Sequence, residues 1–148
     1  MIKLTEHFSL EELTKSATAL KRHIDNLPGA PEIANLKRLA AKILEPVRLH
    51  YNTSFSPSSG YRSLALNRLV GSSDTSQHAK GEAVDFEVPT VANMDLALWI
   101  KDNLIFDQLI LEFHNVAVPD SGWCHVSLKK ENNRQQCLIF NGKTYKEF

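Results

Sequence analysis

The apolar residues change their period partway along the chain, and that change limits the fold more than any other feature. Between Pro31 and Val47, the residues Ile33, Leu36, Leu39, Ala40, Ile43, Leu44 and Val47 recur at the spacing of one helical face. From Gly81 onward the spacing becomes two. Val84, Phe86 and Val88 fall on one side of an extended segment, and Ala83, Asp85 and Glu87 on the other. A chain that is helical in its first half and extended in its second reads as an α+β domain, with helices packed on a mainly antiparallel sheet. Its 148 residues suit one domain spanning 1–148 with a real core.

Single turn residues punctuate these segments. Ser9 followed by Glu12 reads as a capping box opening a short helix over Leu10 to Lys15, after which the chain loosens towards Leu27-Pro28-Gly29. Pro31 suits the first turn of the long helix, and Pro46 should kink or end it. An extended piece at Thr53 to Pro57, a turn at Ser59-Gly60 and a helix over Ser63 to Val70 closed by Gly71 follow. A further helix is expected over Val91 to Asn103, with Trp99 among its core residues, then strands over Asp107 to His114 and Trp123 to Leu128. Asn141-Gly142, between Gln135–Phe140 and Lys143–Phe148, suits a type I′ hairpin turn.

Charge says little about partners. Lys plus Arg number 17 and Asp plus Glu number 17, so no net field marks the protein for nucleic acid or an anionic membrane, and the partner has to be inferred from a site. Met1 to Ser16 carries charges and lacks the apolar stretch of a secretory signal, and no segment reaches the length of a membrane span. The expectation is a monomer made in the cytoplasm without a signal peptide. Cys124 and Cys137 form no C-x-x-C pair and are expected to be reduced and structural. No G-x-S-x-G elbow is present for a serine hydrolase.

The densest polar information lies in Ser76-Gln77-His78-Ala79-Lys80-Gly81-Glu82-Ala83-Val84-Asp85. Zinc favours imidazole nitrogen and carboxylate oxygen, and here a loop His precedes a strand Asp by seven residues, with Gly81 free to bend the turn between them. A surface His beside a solvated Asp would have the same spacing. In Trp123-Cys124-His125-Val126-Ser127, alternation puts Trp123, His125 and Ser127 on one face. If Cys124, Val126 and Leu128 face the core, His125 faces the same open side as Asp85. Three protein ligands leave a fourth zinc position for water, the arrangement of a catalytic site.

These segments resemble the M15-type zinc peptidases, which include D-alanyl-D-alanine carboxypeptidases and phage cell-wall endopeptidases, and are most similar to the small phage-associated branch. The resemblance rests on Ser59-Gly60-Tyr61-Arg62, the helix with Asn67, Ser76-x-His78-x-x-Gly81-x-Ala83-x-Asp85, and Gly122-Trp123-x-His125-Val126. It extends to His7-Phe8-Ser9-Leu10-Glu11-Glu12-Leu13 near the start. It implies a DD-peptidase/Hedgehog-like zinc fold, Zn2+ held by His78, Asp85 and His125, and hydrolysis of a peptide bond in the peptidoglycan stem peptide, by a carboxypeptidase or an endopeptidase. Without a signal peptide, the chain is expected to reach the wall through phage-mediated release or as a virion component.

Several relatives carry a Glu three residues before the last zinc His, where this chain has Gly122. The general base then falls to Glu112, or to its rival His114. In Gln108 to His114 alternation groups Gln108, Ile110, Glu112 and His114 on one side and Leu109, Leu111 and Phe113 on the other. A carboxylate can take a proton from water and return it to the leaving amine. The resemblance gives Arg62 a substrate role, and a guanidinium suits an oxyanion or a peptide carboxylate. Ser76 and Gln77 are candidates for binding substrate or orienting His78, Trp123 for walling the cleft, and Glu87 for a solvated side chain. The alternative function is a non-catalytic, zinc-containing module that docks on the cell wall or serves a phage particle.

Overall fold

The computed structural model describes every residue from Met1 to Phe148. Ser9 opens α1 (Leu10–Thr14) as expected, its hydroxyl accepting the Glu12 amide. Ser16 repeats the device two turns later for α2 (Ala17–Lys21), where the sequence predicts loose chain rather than a helix. The long apolar stripe forms α3 (Ala30–Leu39) and α4 (Glu45–Tyr51), but Pro46 does not end it. A π turn over Ala40–Leu44 joins the two, with the Glu45 amide reaching back to the Ala40 carbonyl. Widening the helix there absorbs the hydrogen bond a proline cannot donate, and Ala40, Ile43, Leu44 and Val47 all stay buried. The expected third helix is α5 (Leu64–Leu69), capped by Ser63.

The extended half forms β1 (Ala83–Phe86), β2 (Gln108–Glu112), β3 (Trp123–Ser127), β4 (Gln136–Phe140) and β5 (Tyr145–Glu147), with α6 (Asn93–Asn103) after β1. The sheet is mixed, in the order β1-β3-β2-β4-β5; every neighbouring pair is antiparallel except β2 with β4. That exception follows from the way the chain leaves β3. Buried Asp107 accepts the Arg134 amide and pairs with the Arg134 guanidinium at 2.7 Å. The Gln136 amide also bonds the Asp107 carbonyl, so β4 starts beside the start of β2 and runs with it.

The β4–β5 hairpin turns one residue later than Asn-Gly predicts. Phe140 pairs with Tyr145, and the Asn141 side chain accepts the amides of Lys143 and Thr144. Of Asn141 and Gly142 only the glycine has positive φ, whereas a type I′ turn needs both. One face of the sheet, through Val84, Phe86, Leu109, Leu111, Cys124 and Val126, joins Leu36, Leu39, Ile43, Leu44 and Val47 in a single core cluster. Each of the Val, Leu, Ile and Phe side chains contributes about 1.5–3 kcal/mol on burial. Trp99 stacks on His50 at 4.3 Å and packs against the core, as the helical period suggests. No helix is long and apolar enough to cross a membrane.

Candidate metal centre

The opposite face of the sheet carries the polar residues. Asp85 on β1 lies directly across from His125 on β3, which in turn pairs with Ile110 on β2. The Asp85 backbone is also tied to the 58–59 segment: its amide donates to the Ser59 carbonyl at 2.8 Å, and its carbonyl accepts the Ser58 amide at 2.9 Å. His78 enters from a 3-10 turn (Gln77–Lys80) that Ser76 caps, its hydroxyl accepting the His78 amide. Gly81 closes that turn at φ +73°, a conformation that brings the chain back into β1.

These three side chains converge. One ligand atom from each of His78, Asp85 and His125 lies within 4.8 Å of the other two. His125 Nδ1 is 2.9 Å from one Asp85 oxygen and His78 Nε2 is 3.5 Å from the other. The Nδ1 of buried His78 sits 2.7 Å from the Gly60 carbonyl oxygen. A carbonyl only accepts, so that nitrogen carries a proton and Nε2 is the atom turned to the cluster. Burial pushes the Asp85 carboxyl up, but hydrogen bonds and charge from His125 and His78 outweigh it and hold the group well below the usual carboxylate range. Two imidazole nitrogens and an ionised carboxylate, oriented by backbone, are a donor set that fits zinc.

Glu112 stands beside this cluster. It pairs across the sheet with Trp123, two residues from His125 on the same face. Burial pushes its carboxyl up from the ordinary value, His125 pulls against that, and the Asp85 charge adds to it. Gly122 lies against the Glu112 backbone. Its φ is +75°, and a Cβ there would overlap the Glu112 carbonyl oxygen, so this position has no room for a side chain.

His114 does not share that face with Glu112. Phe113 has φ +49°, which breaks the strand's alternation. Its ring turns to the metal-site side and packs against Trp123 and Phe140 at 5.2 and 5.1 Å. His114 goes the other way, is buried, places Nδ1 3.1 Å from the Ser121 carbonyl oxygen, and lines a cleft with Ile139 and Phe148. Ile139 neighbours Leu111, on the core side of the sheet. The alternation expected over Gln108 to His114 therefore stops at Glu112.

Arg62 donates its backbone amide to the His78 carbonyl at 3.1 Å and Nε to Asn67 Oδ1 at 3.0 Å. Burial lowers its pKa and the nearby Asp85 charge raises it. Gln77 stands next to His78 in the same turn, its carbonyl accepting the Glu82 amide. Glu87 is exposed and its carboxylate accepts from Asn93.

Two buried asparagines support the site: Asn67, which the sequence marks only through the family resemblance, and Asn93, to which the sequence assigns no role. Asn67 fixes the Arg62 side chain, and Asn93 donates to the Gly122 carbonyl at 2.8 Å, holding the turn that precedes His125. Beyond the resemblance their signal is position, a poor helix former inside α5 and another opening α6.

A sequence model of the family Peptidase M15 matches residues 6–119, well over half of the chain. The chain belongs to that family. The matched span of this M15 peptidase holds Arg62, His78, Asp85 and Glu112, and His125 follows it, brought to Asp85 by strand register. No curated protein matches the chain.

Proposed function

We propose that this M15 peptidase is a zinc enzyme that hydrolyses a peptide bond in the stem peptide of bacterial peptidoglycan. The observation that carries the reading is the convergence of His78, Asp85 and His125 within 4.8 Å, with Glu112 beside them on one open sheet face. When bound there, zinc supplies a Lewis acid for the carbonyl oxygen and lowers the pKa of water. The protein's own residues do the rest. Glu112, its proton affinity raised by burial, takes a proton from the attacking water and delivers it to the leaving amine. Arg62, held by Asn67, offers its guanidinium to the oxyanion or to a peptide carboxylate. Ser76 caps the turn that presents His78, and Gln77 and Trp123 border the substrate path.

The wall-docking alternative requires no acid at the metal site, and the position of Glu112 weighs against it. The chain works as a monomer and meets the wall after phage-mediated release or as part of a virion. Mass spectrometry of muropeptides after digestion with zinc-loaded protein tests the reading and identifies the bond cut. New termini absent from the His78→Ala and His125→Ala digests are expected. An unchanged product pattern in both variants would remove the assignment.

A further inference from the structure

The face that carries the His78–Asp85–His125 cluster continues into a row of aromatic rings of which the chemistry above uses only Trp123. Trp123 pairs with Glu112 on β2, and the parallel register of β2 with β4 brings Phe140 alongside Glu112 on the far side. Phe140 pairs with Tyr145 on β5, their rings stacked at 4.5 Å with 25° between planes. Phe113 bridges the Trp123 and Phe140 rings. A bulky side chain rarely adopts the φ of +49° found here, and alternation would otherwise have sent this one to the core side. This conformation instead holds an apolar ring in water: Phe113 is 53% exposed and Tyr145 58%.

We infer that Trp123, Phe113, Phe140 and Tyr145 form a binding platform for the pyranose rings of the glycan strand to which the stem peptide is attached. This rests on the reading that peptidoglycan is the substrate. Partly exposed rings suit the apolar C–H faces of sugars, which stack on aromatics while their hydroxyls stay in water; the open ones here are Phe113 and Tyr145, since Phe140 stacks on Tyr145 and meets Phe113 edge-on. Continuity with the metal cluster fixes the occupant. From β3 to β5 the row crosses three strand spacings, about 14 Å. An extended peptide covers that distance in roughly four residues. A sugar on Tyr145 thus sets the peptide it carries over Glu112 and the His78–Asp85–His125 cluster, and the platform measures how far from the sugar the cut falls.

The test separates the platform from peptide cleavage. In a Trp99→Phe background Trp123 is the remaining indole, and its fluorescence is followed while peptide-free tetra-N-acetylchitotetraose is added to the zinc-loaded protein. Saturable quenching is expected, weakened at least ten-fold by Tyr145→Leu and by Phe113→Gly. The second variant deletes the ring at a left-handed backbone position that glycine adopts without strain. Absence of quenching in the parent protein, or equal binding by both variants, would overturn the platform whatever happens to peptides. So would a dimer that these variants dissociate without any glycan response, since the row would then serve self-association. Glycan binding without any cleavage of stem peptide would instead leave the platform standing and remove the peptidase reading.

Discussion

The Glu112 carbonyl oxygen occupies the space where a side chain on Gly122 would begin. The acid on β2 and the bare position before β3 are therefore a matched pair: the close approach that brings Glu112 beside His125 leaves no room for an acid at Gly122. Gly122→Ala should lower stability by about 3 kcal/mol, because it adds both a backbone overlap and a side chain at positive φ. For a chain of this size that is a fall in Tm of roughly 10 °C, readable by thermal circular dichroism. A Gly122→Ala protein as stable as the parent would show that the approach is not close.

Glu112→Gln keeps the shape and the zinc ligands but cannot accept a proton. Its kcat on stem peptide should fall by about 10²–10⁴ while bound zinc, measured by atomic emission, stays at the parent level. His114→Gln should do the reverse, keeping most turnover and losing stability, since His114 is buried on the core side against Ser121. Equal losses of kcat in the two variants would return His114 to candidacy as the base.

An ion held by His78, Asp85 and His125 would need the 3-10 turn, β1 and β3 assembled, so zinc should stabilise the folded chain by mass action. At a free zinc concentration about a hundred times Kd, the gain is roughly 2.7 kcal/mol. Chelation should reverse the shift in Tm, and Asp85→Ala should abolish it. A zinc-dependent shift that survives in Asp85→Ala would place the ion elsewhere.

Asp107 links stability to acid. Burial pushes its carboxyl up, but hydrogen bonds and charge from Arg134, with Lys129 adding, bring it down to about 2. An unfolded Asp titrates near ~3.9. The unfolded chain therefore binds the proton first as pH falls, so the stability this pair supplies is complete above about pH 4 and is lost as pH drops towards 2. Asp107→Asn should cost about 2 kcal/mol at neutral pH and almost nothing at pH 2, measured by urea unfolding. A cost that stays constant across that range would contradict the linkage.

The metal cluster was legible in the sequence because its signals are local. Asp85 and His125 each sit in a short run of strict alternation, and the two runs pair in the register that parity alone requires. The apolar spacing from Ile33 to Val47 likewise marked the helix that covers the core, although the π turn before Pro46 was invisible, since no residue type announces one. Phe113 shows where such reading stops. One backbone angle, at a residue with no sequence preference for it, exchanges the faces of Phe113 and His114. The parallel pairing of β2 with β4 was hidden for a different reason. It depends on a buried charge, Asp107, meeting a residue 27 positions further on, and no periodicity reports a contact of that separation.

The pairing of Asp85 with His125 also makes the metal site a gauge of how the strands are aligned. A slip of one residue between β1 and β3 would set Asp85 against Cys124 or Val126 and swing His125 into the apolar core. No misaligned sheet can assemble the three ligands, so affinity for the ion counts correctly registered molecules and no others. A zinc titration of refolding protein would thus report, molecule by molecule, the moment at which the β1–β3 alignment is won.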